Sequence, residues 1–310
     1  MENNDKITYT ADDFEVVGTR GLDAEKITKP SITFWSDVWR RFRANKLSMF
    51  GLGILIIVVL MVCFGPFISG KDYQLIDYSI ANLRPSGEYW FGTDEMGRDI
   101  FTRVCMGGRI SIIIGLACTV VSFIIGSALG GIAGYLGGKI DDFIMRVIEI
   151  ISSIPYLVLV VILSYVLGRS MFSLVFAMTI TAWTGTARMV RGQVMQLKSQ
   201  DFVAAATALG ASPSRIIVKH LLPNTLGIII VNLTLSVPSF IFSESFLSFI
   251  GLGVRPPETS WGALASLYQT RLMFDPYQLF FPCLMIVLTV LSFHLIGDGL
   301  TDALDPKLRK

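Results

Sequence analysis

The polar residues best placed for chemistry lie inside the most apolar parts of this sequence. Asn232, Ser236, Ser239 and Ser243 fall at i, i+4, i+7 and i+11, one face of a helix, with Glu244 and Ser248 alongside. Thr179, Thr181, Thr184 and Thr186 add hydroxyls from a neighbouring run. Such groups can line a path for a polar solute. They can equally hydrogen-bond neighbouring helices, at on the order of 0.6 kcal/mol per contact. Pro238 can kink the helix and free a carbonyl. An ionisable group at membrane depth is costly, so Glu244 must face water or a partner. It either meets a substrate amine or sits near an interface. His220 and His294 lie in separate elements and do not make a metal site, and no metal is expected. None of the four cysteines is spaced C-x-x-C, and they read as small apolar side chains.

The elements that hold these residues follow from composition. Of 310 residues, 52% are apolar and 16% charged, and mean hydropathy is +0.60. Soluble chains carry about 25% charge, so an ordinary soluble enzyme is disfavoured. A net charge of +2 is far from the footprint of a nucleic-acid binder. Six runs have the roughly 20 apolar residues needed to cross a bilayer, at 47–68, 110–135, 147–167, 171–189, 225–250 and 279–296. The expected fold is an all-α membrane protein with six transmembrane helices. The first thirty residues lack the apolar core of a signal peptide. With the N-terminus inside, 18 of the 26 Lys and Arg residues fall on inner segments, so both termini are expected in the cytoplasm.

Around the spans, 1–30 reads as a polar cytoplasmic tail and 31–46 as an amphipathic helix in the inner interface. Phe34, Val38 and Phe42 recur there at four-residue steps, with Trp35 and Trp39 beside them and Arg40, Arg41 and Arg43 following. The alternative is a plain continuation of the first span. Segments 69–109 and 251–278 are extracytoplasmic loops, and 297–310 is a cytoplasmic tail in which Asp298, Asp302 and Asp305 cap or pair with Lys307 and Arg309. Asp94, between Gly92 and Gly97, predicts a tight turn before a helix. Gly126, Gly130, Gly134 and Gly138 form a small-residue stripe that lets another helix approach closely.

The inner segment 190–224 is a helix–Gly–helix hairpin. Ser199 or Asp201 can cap its first helix, which Ala204, Ala205, Ala206, Ala208 and Leu209 favour. Gly210 suits the left-handed position after it, Ala211 follows, Ser212-Pro213 opens a second helix carrying Arg215, and Leu222-Pro223 ends that helix. Small side chains let such a hairpin seat closely in a partner's groove; it could also pack only on its own spans.

This hairpin resembles the signature of ABC importer permeases, usually Glu-Ala-Ala, three residues, Gly, then Ile and Leu-Pro. Here Ala204-Ala205-Ala206, Gly210, Ile217 and Leu222-Pro223 match, but the usual Glu is Ala204, so its contact with a basic ATPase residue does not carry over. The stretch 91–99 with Arg103, Gly107, Arg109 and Ser111 looks like the loop of dipeptide/oligopeptide-type permeases. The tail Gly297-Asp298-Gly299-Leu300-Thr301-Asp302 looks like the end of the second permease subunit of those systems. The resemblance implies the type I permease fold and a bacterial plasma-membrane location. It implies partnership with a homologous second permease, two cytoplasmic ATPase subunits gripping the hairpin at Asp201–Arg215, and an extracytoplasmic substrate-binding protein. ATP and Mg would be held by the ATPase subunits and no cofactor by this chain, which lacks a phosphate loop. The implied cargo is a dipeptide or oligopeptide, with nickel, glutathione or another peptide-like solute as alternatives on the same machinery. A proton-coupled secondary transporter would need mid-membrane carboxylates and an inverted repeat; Glu244 is the one good candidate, and no repeat is evident. An intramembrane enzyme would need a nucleophile–base pair or a zinc motif, and neither occurs.

Overall fold

Long apolar runs leave the backbone no solvent partner, so they must bond internally as helices. The computed structural model describes residues 33–304. The expected tail 1–30 and the end of the 297–310 tail, with Asp305, Lys307, Arg309 and Lys310, lie outside the described residues. The chain is nearly all helical: α1 (Phe34–Ala44), α2 (Lys46–Ser69), α3 (Ile100–Leu136), α4 (Gly138–Ser152), α5 (Tyr156–Leu167), α6 (Met171–Lys198), α7 (Asp201–Ala208), α8 (Pro213–Ile216), α9 (Leu222–Phe249), α10 (Trp261–Tyr268) and α11 (Pro276–Leu304). Among the described residues, four helical runs are long and apolar enough to cross a membrane: α2, α3, Pro213–Phe249 and α11. A bent α4–α5 pair would be a fifth. The 28-residue α6 covers the expected fourth span, but its threonines and Arg188 dilute its hydropathy.

Helix α1 is a separate element and not an extension of the first span. Asn45 is extended, and its side-chain oxygen accepts from Leu47 and Ser48 N–H groups, which starts α2 afresh. Val38 and Phe42 pack on Ile296 and Ala303 of α11, while Trp35 and Trp39 stay exposed and Asp37 pairs with Arg40 and Arg41.

Three expected boundaries shift, each for a local reason. Helix α3 begins at Ile100 instead of near 110, because Asp99 accepts from the Thr102 N–H at 2.8 Å and caps it there. At 37 residues α3 is about 55 Å long and protrudes beyond the bilayer core. The expected span 147–167 is not straight: α4 and α5 meet at 80°. Pro155 lacks an N–H and keeps Ile154 out of the helical region. Leu222-Pro223 does not end the second hairpin helix. A π turn at Ile217–Leu221 shifts the hydrogen-bond register, so Pro223 falls in the first turn of α9 and the helix runs on from Pro213 to Phe249.

Helices α3 and α6 make the most extensive pairing, and α11 packs on α2 and α9. The glycine stripe explains the first. A Cβ on Gly126 would come within 2.6 Å of Thr186, one on Gly130 would strike the Ala187 carbonyl, and one on Gly134 would sit 2.8 Å from the Arg191 carbonyl. Gly138 is not part of this seam, since at φ +53° it already belongs to the turn into α4.

Candidate functional site

The hairpin is built as a rigid, exposed knuckle. Gln200, and neither Ser199 nor Asp201, occupies the N-cap of α7, and Asp201 sits in the first turn, where its charge complements the helix dipole. At the other end Gly210 takes φ +78°. The Ala211 N–H then reaches the Ala206 carbonyl (3.0 Å) and the Gly210 N–H the Thr207 carbonyl (2.9 Å), a Schellman closure. Ser212 caps α8 by accepting from the Arg215 N–H. Val203, Ala206, Ile216, Ile217 and Leu221 bury inward against Val190, Val194 and Ile229. Ala204, Ala205, Ala208, Leu209 and Arg215 are left on the outside, Leu209 at 88% exposure. A shallow groove beside them is lined by Tyr135, Lys198, Val203, Ala204, Thr207 and Ala208, with the Lys198 ammonium over the Tyr135 ring.

The polar stripe of α9 divides. Asn232 and Ser236 face a small notch, where they meet Thr119, Ser122 and Phe123 of α3 and Thr186 and Met189 of α6. The buried Ser122 hydroxyl has no protein partner there. Ser239 and Ser243 do not line the notch; Ser239 is exposed. Of the span-four threonines only Thr186 lines it; Thr179 and Thr184 bond back to carbonyls of their own helix and the Thr181 hydroxyl is buried without a partner.

Glu244 and Ser248 do not line the notch either. Glu244 is fully buried and accepts from Ser111 Oγ of α3 (2.8 Å) and Ser248 Oγ (2.7 Å). This places it in a closed knot beneath α10, away from any solute in this conformation. Trp261, the first residue of α10, is also wholly buried and donates its indole N–H to the Val104 carbonyl (2.9 Å). Glycines let backbones meet around it: a Cβ on Gly108 would lie 2.6 Å from the Trp261 ring, and one on Gly262 would collide with the Ser245 carbonyl. The sequence offered a signal in the paired Gly107-Gly108, but not its partner α10, which falls in what reads as a loop.

The loop before α3 and the segment after α10 lie beside this socket. Asp94 is fully buried; it accepts from Met96 and Arg98 N–H groups, pairs with Arg98 Nε at 2.8 Å and lies 3.8 Å from Arg103 Nε. The expected turn thus also anchors two cations. Burial pushes the Tyr268 phenol well above its usual range, so it stays neutral beside Arg103. Arg271 pairs with Glu95 (3.8 Å), and the Gln278 amide donates to Asn82 and to the Thr93 carbonyl, which ties α11 to the first loop.

Comparison with known proteins gives this architecture a lineage. Residues 126–310 match the family model described as binding-protein-dependent transport system inner membrane component. Residues 33–85 match the N-terminal TM domain of oligopeptide transport permease C. The chain is 48% identical to the oligopeptide transport system permease protein OppC of Bacillus subtilis (strain 168), covering 96% of this chain and 97% of that one. It is 47% identical to the dipeptide transport system permease protein DppC of the same organism, covering 94% and 91%. Among solved structures, a chain of the MetNI methionine ABC transporter in inward-facing conformation superposes with a TM-score of 0.53 at 20% identity, covering 66% of this chain and 96% of that one, and so shares the fold. By its family match and its near full-length relatives, the chain belongs to the family of inner membrane components of binding-protein-dependent transport systems.

Proposed function

We propose that this chain is the permease subunit of an ATP-driven importer that carries oligopeptides or dipeptides across the bacterial plasma membrane, spanning it six times with both termini cytoplasmic. The observation that carries the reading is the knuckle at Gly210, which presents Ala204, Ala205, Ala208 and Leu209 outward and is continuous with α9. Two ATPase subunits, which hold ATP and Mg, grip this knuckle and its counterpart on a homologous second permease. Because Pro213–Phe249 is one helix, a displacement of the knuckle levers Asn232 and Ser236 and widens the notch they share with Thr119, Ser122 and Thr186. Backbone-like hydroxyls and amides suit a peptide, whose constant feature is amide polarity. The naming of relatives for oligopeptide and dipeptide transport supports that cargo. A binding protein delivers it to the outer loops.

The test is a tagged purification in mild detergent followed by reconstitution. Co-purification of a second permease and ATPase chains, with ATP-dependent peptide uptake into proteoliposomes once binding protein is added, is expected. A homo-oligomer without ATPase, or uptake driven by a proton gradient and indifferent to ATP, overturns the reading.

A further inference from the structure

Glu244 lies outside the notch of the proposed path, fully buried, and its surroundings give it a task. Among the described residues the ion pairs lie elsewhere. Its partners are hydroxyls: Ser111 from α3, Ser248 from α9 and, at 3.5 Å, Ser245. Ser111 Oγ also accepts from the Trp261 backbone N–H at 3.2 Å. A hydroxyl has a single proton. While its oxygen serves Trp261, that proton is directed to Glu244, so the Glu244 acceptor sets how Ser111 meets the first N–H of α10. From α10 the contacts run on through the packing of Trp261, Leu264 and Tyr268 against Ile100 and Val104 at the start of α3, next to the Arg103–Asp94 pair, and through Arg271 to Glu95. From Glu244 they run inward along α9 to the knuckle, which begins the same continuous helix at Pro213.

We propose that Glu244 is a positioning residue for coupling: by holding α10 between α3 and α9, it transmits arrival of the binding protein at the outer loops to the ATPase end of α9. The proposal rests on the importer reading above.

The experiment uses the complete complex in nanodiscs and measures ATP hydrolysis with and without binding protein supplied with a tryptic digest of casein. Glu244→Ala is expected to lower the ratio of stimulated to unstimulated hydrolysis by about fivefold or more. Ser111→Ala is expected to lower it in the same way. Glu244→Gln, which keeps an acceptor oxygen for Ser111, is expected to recover most of the ratio. A protein in which Glu244 merely fills space would show wild-type ratios in every variant that assembles. An assembled Glu244→Ala complex with the wild-type ratio overturns the proposal. If that variant fails to assemble, an assembled Ser111→Ala complex with the wild-type ratio does so instead. A wild-type complex that shows no stimulation overturns the importer reading itself, and this proposal with it.

Discussion

At the outer end of α9, Trp261 and Glu244 are wholly buried, and glycines bring the backbones of α3, α9 and α10 into contact around them. At its inner end, Leu209 is 88% exposed and α7 touches little beyond α6 and α8. The two regions share a helix yet are finished to different degrees. Around α10, the Glu244 carboxylate and the Trp261 N–H groups find partners within the chain, as buried groups must when an unmet one costs about 1–3 kcal/mol, while Arg103 Nε and the Tyr268 hydroxyl do not. Inside, the local geometry is equally defined, by Gly210 and the caps, but the apolar and small surfaces have nothing over them. A buried socket at one end of a continuous helix and an exposed knuckle at the other are the arrangement that the proposed coupling uses.

The sharpest break in this contrast is Gly210→Pro. Proline holds φ near −65° and lacks the N–H that reaches Thr207. Uptake is expected to fall to background while membrane insertion, measured by fractionation, stays normal; wild-type uptake would detach the knuckle from coupling. Next comes Trp261→Ala in the socket. Losing a buried aromatic costs about 3–5 kcal/mol, and faster hydrogen exchange across α10 and the start of α3 is expected. An unchanged exchange pattern would show that the socket is not a single unit. Asp94→Ala leaves Arg98 and Arg103 without their buried partner, a loss of about 3–5 kcal/mol on the same scale, read as a lowered melting temperature that milder Asp94→Asn partly restores. The smallest effect on stability belongs to Leu209→Ser. Exposed and uncrowded, it should change stability by less than about 0.5 kcal/mol yet reduce ATPase recovery in the purification. Full recovery would move the docking surface off the knuckle.

Much of the inner region was legible before the fold was known. Gly210, the Ser212 cap and the alanine run are local signals, each acting within a few residues, and they appear where spacing placed them. The Asp94 turn is local in the same sense; the Asp99 cap is equally local but was not read, and the helix was expected to start near 110. The stripe on α9 was half legible: its periodicity placed Asn232 and Ser236 on one face, but which part of that face meets a cavity depends on α3 and α6, whose approach their glycines and alanines allow. The choice left open for Glu244 could not be made from sequence, because its donors, Ser111 and Ser248, and its cover, Trp261, come from three elements, one of them a short helix inside an expected loop.

By itself, the sequence determined the membrane class, the helical content and the shape of the knuckle. Hydropathy over a bilayer's thickness and capping over one turn are short-range physics. Only the tertiary structure decided that α4 and α5 meet at 80°, that a π turn carries α8 through Pro223 into α9, and that α10 packs over Glu244. The first two arise locally, at Pro155 and at Ile217–Leu221, yet their angle and register leave no mark in the apolar pattern; the third is fixed by buried hydrogen bonds between residues more than a hundred positions apart, as Ser111 and Glu244 are.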